Sequence, residues 1–235
     1  MTDTPELALP LLAPAQAQKH VTVNEALMRL DGLAQLRLQS VSETTPPAAS
    51  DGLAYAVPSG AVNAWAGQEG AVAIASGGGW IFVPAQRGWR AVVLDAGSLA
   101  IFDGAAWRVG AQTLTPGGAS VGVTSAEFDV PLTASASVTT PVLFPARSIA
   151  YGITGRVISA ITGAATTWDI GVTGDLQRYG SGLGTSLNSW VSGPGTPQVY
   201  WSPTTLEITA QGGNFAGGTI RLVAHYAELS LPDPV

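Results

Sequence analysis

Gly218-Thr219-Ile220-Arg221-Leu222-Val223-Ala224-His225-Tyr226 alternates along the length of a long strand: Ile220, Leu222, Ala224 and Tyr226 share one face, and His225 points to the other. Successive side chains of a strand leave on opposite sides, so an apolar set at period two marks a sheet with one face on a core. The same alternation recurs upstream in Phe128-x-Val130-x-Leu132, in Ile149, Tyr151 and Ile153, in Val157, Ser159 and Ile161, and in Trp168, Ile170 and Val172. Val142-Leu143-Phe144, Val199-Tyr200-Trp201 and Leu206-Glu207-Ile208 add short β runs, while residues 174–197, dense in Gly, Ser, Asn and Thr, read as a loop-rich excursion. Some eight strands over about 110 residues predict an antiparallel β-sandwich, jelly-roll-like, spanning residues 123–235.

Residues 112–122 are turn-rich, without a core-forming period, and read as a linker. Before them, residues 44–111 predict a small Trp-rich β module. Its strands are expected near 53–57, 71–75, 80–83, 89–94, 99–102 and 107–109, as a meander cut by Gly-rich turns and packed by Trp65, Trp80, Trp89 and Trp107. Residues 1–43 predict an arm and one helix of three to four turns. Thr22 and Glu25 have the spacing of a capping box, and Leu27, Leu30, Ala34 and Leu38 mark the expected inward face. Gly32 weakens the middle of that helix, and alternation from Leu36 to Val41 predicts a passage into strand near Gln35. The whole chain is therefore mainly β.

The arm is Ala8-Leu9-Pro10-Leu11-Leu12-Ala13-Pro14-Ala15-Gln16-Ala17-Gln18-Lys19-His20. Pro10 and Pro14 keep it from being a helix or a central strand, yet it is apolar enough to be covered. It reads as a segment lying across another surface, with Leu7, Leu9, Leu11, Leu12, Gln16, Gln18, Lys19 and His20 as the candidate assembly interface. It is not expected to be a signal peptide, because Asp3 and Glu6 precede the apolar run with no Lys or Arg. No stretch approaches the ~20 apolar residues of a membrane span, so no membrane insertion is expected.

Hydrophobic residues make up 46% of the chain and charged residues only 11%, which leaves a weakly solvated surface and favours burial in a homo-oligomer or larger assembly. A net charge of −6 with a single lysine, Lys19, argues against a nucleic-acid partner. With no cysteine and only two histidines, thiolate chemistry and His-based metal or triad sites have little material, and neither cofactor nor metal is expected.

Candidate chemistry is correspondingly thin. Glu127 and Asp129 share a strand face and read as a solvated pair with Phe128 and Val130 turned inward. Asp169 and Asp175 lack the Asp-x-Asp-x-Asp-Gly spacing of a calcium loop. Gly180-Ser181-Gly182-Leu183-Gly184 has no following helix start or Lys, so it is neither a phosphate loop nor a nucleophile elbow. No catalytic set emerges, and the chain is expected not to be an enzyme. The aromatics carry the remaining function class. Trp65, Trp80 and Trp89 could pack the core or stack on sugar rings, and Tyr179, Trp190, Tyr200 and Trp201 form a second candidate platform for a glycan or a fibre.

Leu9-Pro10, Gln16-Ala17-Gln18-Lys19-His20-Val21-Thr22-x-Asn24-Glu25-Ala26-Leu27 and Leu30-Asp31 resemble a bacteriophage and prophage family. So do Asp51-Gly52-x-x-Tyr55-x-Val57, Ala64-Trp65-Ala66-Gly67, Gly79-Trp80-x-Phe82 and Pro84-x-x-Gly88-Trp89, all in that family's order. The family is a domain of unknown function in tail-fibre-like proteins of alphaproteobacterial phages and in gene transfer agents, and the resemblance covers about residues 7–110. Ile161-Thr162-Gly163-Ala164, Trp168-Asp169-Ile170-Gly171-Val172, Arg178-Tyr179-Gly180-Ser181-Gly182-Leu183-Gly184 and Gly212-Gly213-x-Phe215-x-Gly217-Gly218 resemble the domain often fused to it. The resemblance implies a structural virion protein on the surface of a phage-like particle. It would be a head-spike base whose partners are a capsid or tail protein and a spike or fibre protein. The alternative is an adsorption module that binds host surface polysaccharide directly.

Overall fold

The computed structural model describes residues 3–14 and 19–233, which fall into two units: the chain up to Ser120 joined by residues 231–233, and Val121–Ser230. Residues 231–233 thus fall in the first unit instead of with the sandwich, where the 123–235 boundary would put them. The reason is a clip. The Asp233 N–H donates to the Gly117 carbonyl at 2.7 Å, and its carboxylate accepts from the Arg108 guanidinium at 3.0 Å.

The first unit holds helix α1 (Lys19–Ala34) and seven strands: β1 (Arg37–Leu38), β2 (Ala54–Ala56), β3 (Ala71–Ser76), β4 (Gly79–Pro84), β5 (Arg90–Val93), β6 (Ser98–Phe102) and β7 (Trp107–Val109). Their sheet order is β4-β3-β2-β1-β5-β6-β7. The expected meander is corrected here, because two antiparallel triplets are joined by β1, parallel to both β2 and β5. Two residues suffice for this, since Leu38 is fully buried and the backbone beyond it continues the pairing (Gln39 N–H to Ala54 carbonyl, 2.8 Å).

Helix α1 starts before Thr22, so Thr22 and Glu25 lie within it and the capping box does not form; Glu25 instead pairs with Arg29 at 2.7 Å. Its buried residues are Met28, Asp31 and Gly32, whereas Leu30 and Ala34 of the expected core face are exposed and Leu27 is half-buried. Gly32 decides the side. A Cβ there would stand 2.7 Å from Ile74 Cδ1 on β3, so the missing side chain lets the helix approach the sheet closely.

The second unit contains β8 (Val121–Pro131), β9 (Ser137–Phe144), β10 (Ser148–Gly163), β11 (Thr167–Val172), β12 (Asp175–Leu183), β13 (Trp190–Tyr200), β14 (Thr204–Gln211) and β15 (Phe215–Leu229). They form two four-stranded sheets, β8-β15-β10-β13 and β9-β14-β11-β12. Every sheet neighbour is antiparallel, and this interleaving of early and late strands is jelly-roll wiring. Trp168, Phe144, Phe215, Ile153, Ile170, Leu206, Ile208, Ile220 and Leu222 fill the space between the sheets. Residues 174–197 are not a loop excursion: they supply β12 and most of β13. Gly193 has a packing reason, since a Cβ there would lie 1.9 Å from the Tyr179 carbonyl oxygen, where the two sheets close on each other. The runs at Ile149 and Val157, expected as separate strands, are one bulged strand, β10.

Candidate functional site

Two surfaces gather the functional candidates, one in each unit. In the first, residues 3–14 fold back onto α1. Thr4 N–H donates to the Leu9 carbonyl (2.9 Å) and Leu9 N–H to the Thr4 hydroxyl oxygen (2.9 Å), curling the arm into a loop. That loop surrounds one carboxylate. Asp31, 2% exposed, accepts from the Thr4 hydroxyl at 2.6 Å, the Leu7 N–H at 2.7 Å and the Glu6 N–H at 3.0 Å. Further along, the Asn24 side chain mimics a strand edge, accepting from Leu12 N–H at 2.8 Å and donating to the Leu12 carbonyl at 3.0 Å. Arg37 of β1 adds an ion pair to Glu6. The arm's backbone groups at Glu6, Leu7 and Leu12 are thereby satisfied by its own helix.

Its apolar side chains are not. Leu7 is 41% and Leu12 49% exposed, while Leu9 and Leu11 are half-buried. On α1, Val23, Leu27, Leu30 and Ala34 fall on one helical stripe, and Val23, Leu30 and Ala34 are exposed. Leu30 and Ala34, which periodicity marks for a core, thus face outward, while Leu38 of the same expected face is buried in β1. Lys19 is exposed; His20 is half-buried with its Nδ1 shielded; Gln16 and Gln18 lie outside the described residues.

In the second unit, the outer face of the β8-β15-β10-β13 sheet carries polar cross-strand rows. Strand register puts Trp190, Arg156, Arg221 and Asp129 in one row, and Ser192, Thr154, Val223 and Glu127 in the next. Arg221 binds Asp129 through two bonds of 2.7 and 2.8 Å and lies 3.6 Å from Glu127. That fork holds the Asp129 carboxyl below its ordinary range. His225 sits between two hydroxyls, its Nδ1 2.9 Å from Ser125 Oγ and its Nε2 2.9 Å from Thr154 Oγ1. Trp190 is 65% exposed at the rim of this face.

The other aromatic candidates separate by burial. Trp65 is fully buried, in ring contact with Tyr55 and Trp80 at centroid distances of 5.5 and 5.1 Å, and offers no face to a ligand. Trp80 and Trp89 are half-buried and pack against the cores of the first unit. Tyr179 and Tyr200 are also removed from the platform, being buried with their hydroxyls 2.8 Å apart. Trp201, 78% exposed, follows the end of β13. Hence Trp190 and Trp201 alone of the seven face solvent freely. They do so because they flank the inward positions Val191 and Tyr200 of one strand.

Asp169 is buried as a structural anchor, accepting from the Gly182 N–H (2.8 Å), Gln177 (2.9 Å) and Gln211 (2.8 Å). Among the described residues no cluster of His, Cys, Asp or Glu is arranged to hold a metal ion, and no helix is long and apolar enough to cross a membrane. Sequence reasoning missed Thr4, Asn24 and Asp31 as the arm's dock, and Thr154, Arg156 and Ser192 as neighbours of Trp190. One signal for the dock was available: Asp31 lies one turn beyond Leu27 and Met28, which sets a carboxylate beside apolar positions of α1.

Residues 23–108 match a family model described as a protein of unknown function (DUF2793). No curated protein matches the chain. Among solved structures, the capsid asymmetric unit of cyanophage Pam1 aligns with 23% identity over 46% of this chain and 84% of that chain. Its TM-score of 0.32 is too low to assign a shared fold.

Proposed function

We propose that this protein is a non-enzymatic structural component of a phage-like particle, the head-spike base that joins a capsid vertex or tail component to a receptor-binding fibre. The observation that carries the reading is the outward stripe of α1. Val23, Leu30 and Ala34, with Leu7 and Leu12 of the docked arm, leave an apolar surface open in a chain with 11% charged residues. Exposed apolar side chains gathered on one side of a helix mark a protein interaction site. The family match over residues 23–108 supports the reading, because it falls within the stretch that resembles phage and gene-transfer-agent modules. Arm and helix act together as the attachment device, and the protein works as a homo-oligomer at the particle surface. A hydrolytic role has less support: Glu127 and Asp129 stand on one strand beside the same arginine, not opposed across a cleft.

The test is incorporation. Val23→Lys with Leu30→Lys changes only exposed positions, so the unfolding midpoint should stay within the range of ordinary surface substitutions. Particles assembled with the double variant should lack the protein. Normal incorporation of the folded double variant would remove the attachment role from this surface.

A further inference from the structure

We infer that the outer face of the β10–β13 pair is a binding site for a neutral saccharide, with the Trp190 indole as its stacking platform. This goes beyond the assembly role and does not depend on it.

The surface is a groove of about 490 Å³ lined by Glu127, Thr154, Arg156, Trp190, Ser192 and Arg221. It adjoins a second depression of about 200 Å³, lined by Tyr151, Pro194 and His225, and the two share Thr154 and Ser192. Trp190 and Pro194 are four residues apart on β13, so the composite groove runs about 13 Å at the rise of a strand. It is an elongated trough with an exposed aromatic at each end, Trp190 and the 40% exposed Tyr151.

The chemistry matches a pyranose on both of its aspects. A sugar ring has an apolar C–H face and an edge of hydroxyls that each donate and accept. An aromatic π face is negative and attracts the weakly positive C–H groups. The Trp190 ring is free for that contact: among the described residues no ring or cation stacks on it. Around it stand the donors and acceptors a hydroxyl edge needs. Arg156 commits one donor to the Asn188 carbonyl at 3.3 Å and stands directly across the strand pair from Trp190. The Thr154 and Ser192 hydroxyls line the floor, and Glu127 supplies an acceptor. His225 is a positioning residue, holding the Thr154 hydroxyl at 2.9 Å in one orientation.

Charge selects the neutral class. Arg156 and Arg221 are balanced by Glu127 and Asp129, and Arg221 is already forked onto Asp129, so the groove offers no net field to an anionic chain. Ile158 and Val223 add apolar area beside Trp190, but Val223 stands between Thr154 and Glu127 in its row, so hydroxyl and charged groups break up the continuous apolar surface that a protein partner would seek. The site sits on paired strands instead of loops, so its groups are held before a ligand arrives.

Affinity electrophoresis of the full chain tests this, in gels containing dextran, galactomannan or yeast mannan as neutral probes and alginate or hyaluronate as acidic ones. At least one neutral polysaccharide should retard the protein, with retardation unchanged at high salt. Trp190→Ala should weaken it about tenfold or more, as loss of a central aromatic contact does. Trp201→Ala should leave it intact, and Arg156→Gln should weaken it without changing the unfolding midpoint. Because Trp190 is exposed, its variant should fold; circular dichroism checks this, and Arg156→Gln decides the matter if it does not. Retardation by no neutral probe, retardation only by acidic probes and only at low salt, or retardation indifferent to both Trp190→Ala and Arg156→Gln would each overturn the assignment.

Discussion

Asp31→Ala should release the arm while leaving the first unit folded. The wild-type carboxylate is 2% exposed and accepts three hydrogen bonds, from the Thr4 hydroxyl and the Glu6 and Leu7 N–H groups. Bonds to a charged acceptor contribute about 1.5–3 kcal/mol each, nominally about 4.5–9 kcal/mol for three. The global loss cannot reach that sum. Once free, the arm's donors bond to water, so the cost stops at the free energy with which the arm is docked. What remains to hold it includes the Asn24–Leu12 pair of bonds, the partly exposed Glu6–Arg37 ion pair, worth about 0–1 kcal/mol, the packing of Pro5 on Gly52, and half-buried Leu9 and Leu11. We expect the unfolding free energy of the variant to fall by about 1–3 kcal/mol. Arm opening should shift far more, and amide exchange at Glu6 and Leu7, slow in the wild type, should approach the unprotected rate. Thr4→Val removes one bond of the three together with the acceptor of the Leu9 N–H and should lie between the two, with exchange roughly tenfold faster for each 1.4 kcal/mol lost. Unchanged protection of the Glu6 and Leu7 amides in Asp31→Ala would refute the claim that this carboxylate docks the arm.

Gly32→Ala should destabilise by about 1 kcal/mol despite the better helix propensity of alanine, because its Cβ would meet Ile74 Cδ1 at 2.7 Å; chemical denaturation measures the sign. Asp169→Ala should cost about 2–3 kcal/mol by stranding the Gly182 N–H and the Gln177 and Gln211 amides, read as a lower denaturation midpoint. Burial pushes the Asp169 carboxyl up, but the Gly182 N–H and the Gln177, Ser181 and Gln211 side chains outweigh it and hold its pKa below the usual value. Its stabilisation is therefore present above the unfolded carboxyl pKa of about 3.9 and lost as pH falls toward the folded value, a dependence absent from Asp169→Asn. Burial, then the hydrogen bond with Tyr200, pushes the Tyr179 phenol above its ordinary 10.0. Unfolded chains ionise first, so the Tyr179 contribution is complete below about pH 10 and lost as pH rises beyond it. Alkaline unfolding should accordingly shift to higher pH in Tyr179→Phe, relative to that variant's own stability at neutral pH.

How much of this was legible beforehand differs between the elements for a physical reason. The jelly roll was readable because period-two alternation is a local property: Ile220, Leu222 and Ala224 face inward whatever strand lies beside them. β12 and most of β13 were missed because Gly180, Ser181, Gly182 and Gly193 resemble turn chemistry, while close sheet-to-sheet approach, a non-local fact, is what Gly193 of β13 serves. Local rules also failed on α1. The Leu27, Leu30, Ala34 and Leu38 spacing was plain, but periodicity says only that an apolar stripe exists, not which side of the helix meets the sheet.

The amino-acid sequence by itself determined that this chain is mainly β, low in charge and poor in catalytic groups, with an apolar segment ahead of one helix. Tertiary structure alone decided what those features do. It placed β1 between β2 and β5, buried Asp31 at the centre of the arm loop, and turned the α1 stripe outward. It also brought Trp190, Arg156, Arg221 and Glu127 from four strands onto one face. Alternation and propensity act between residues a few positions apart, whereas a site is made by pairing across long stretches of chain. Only the folded sheet, through its register, says which exposed side chains become neighbours.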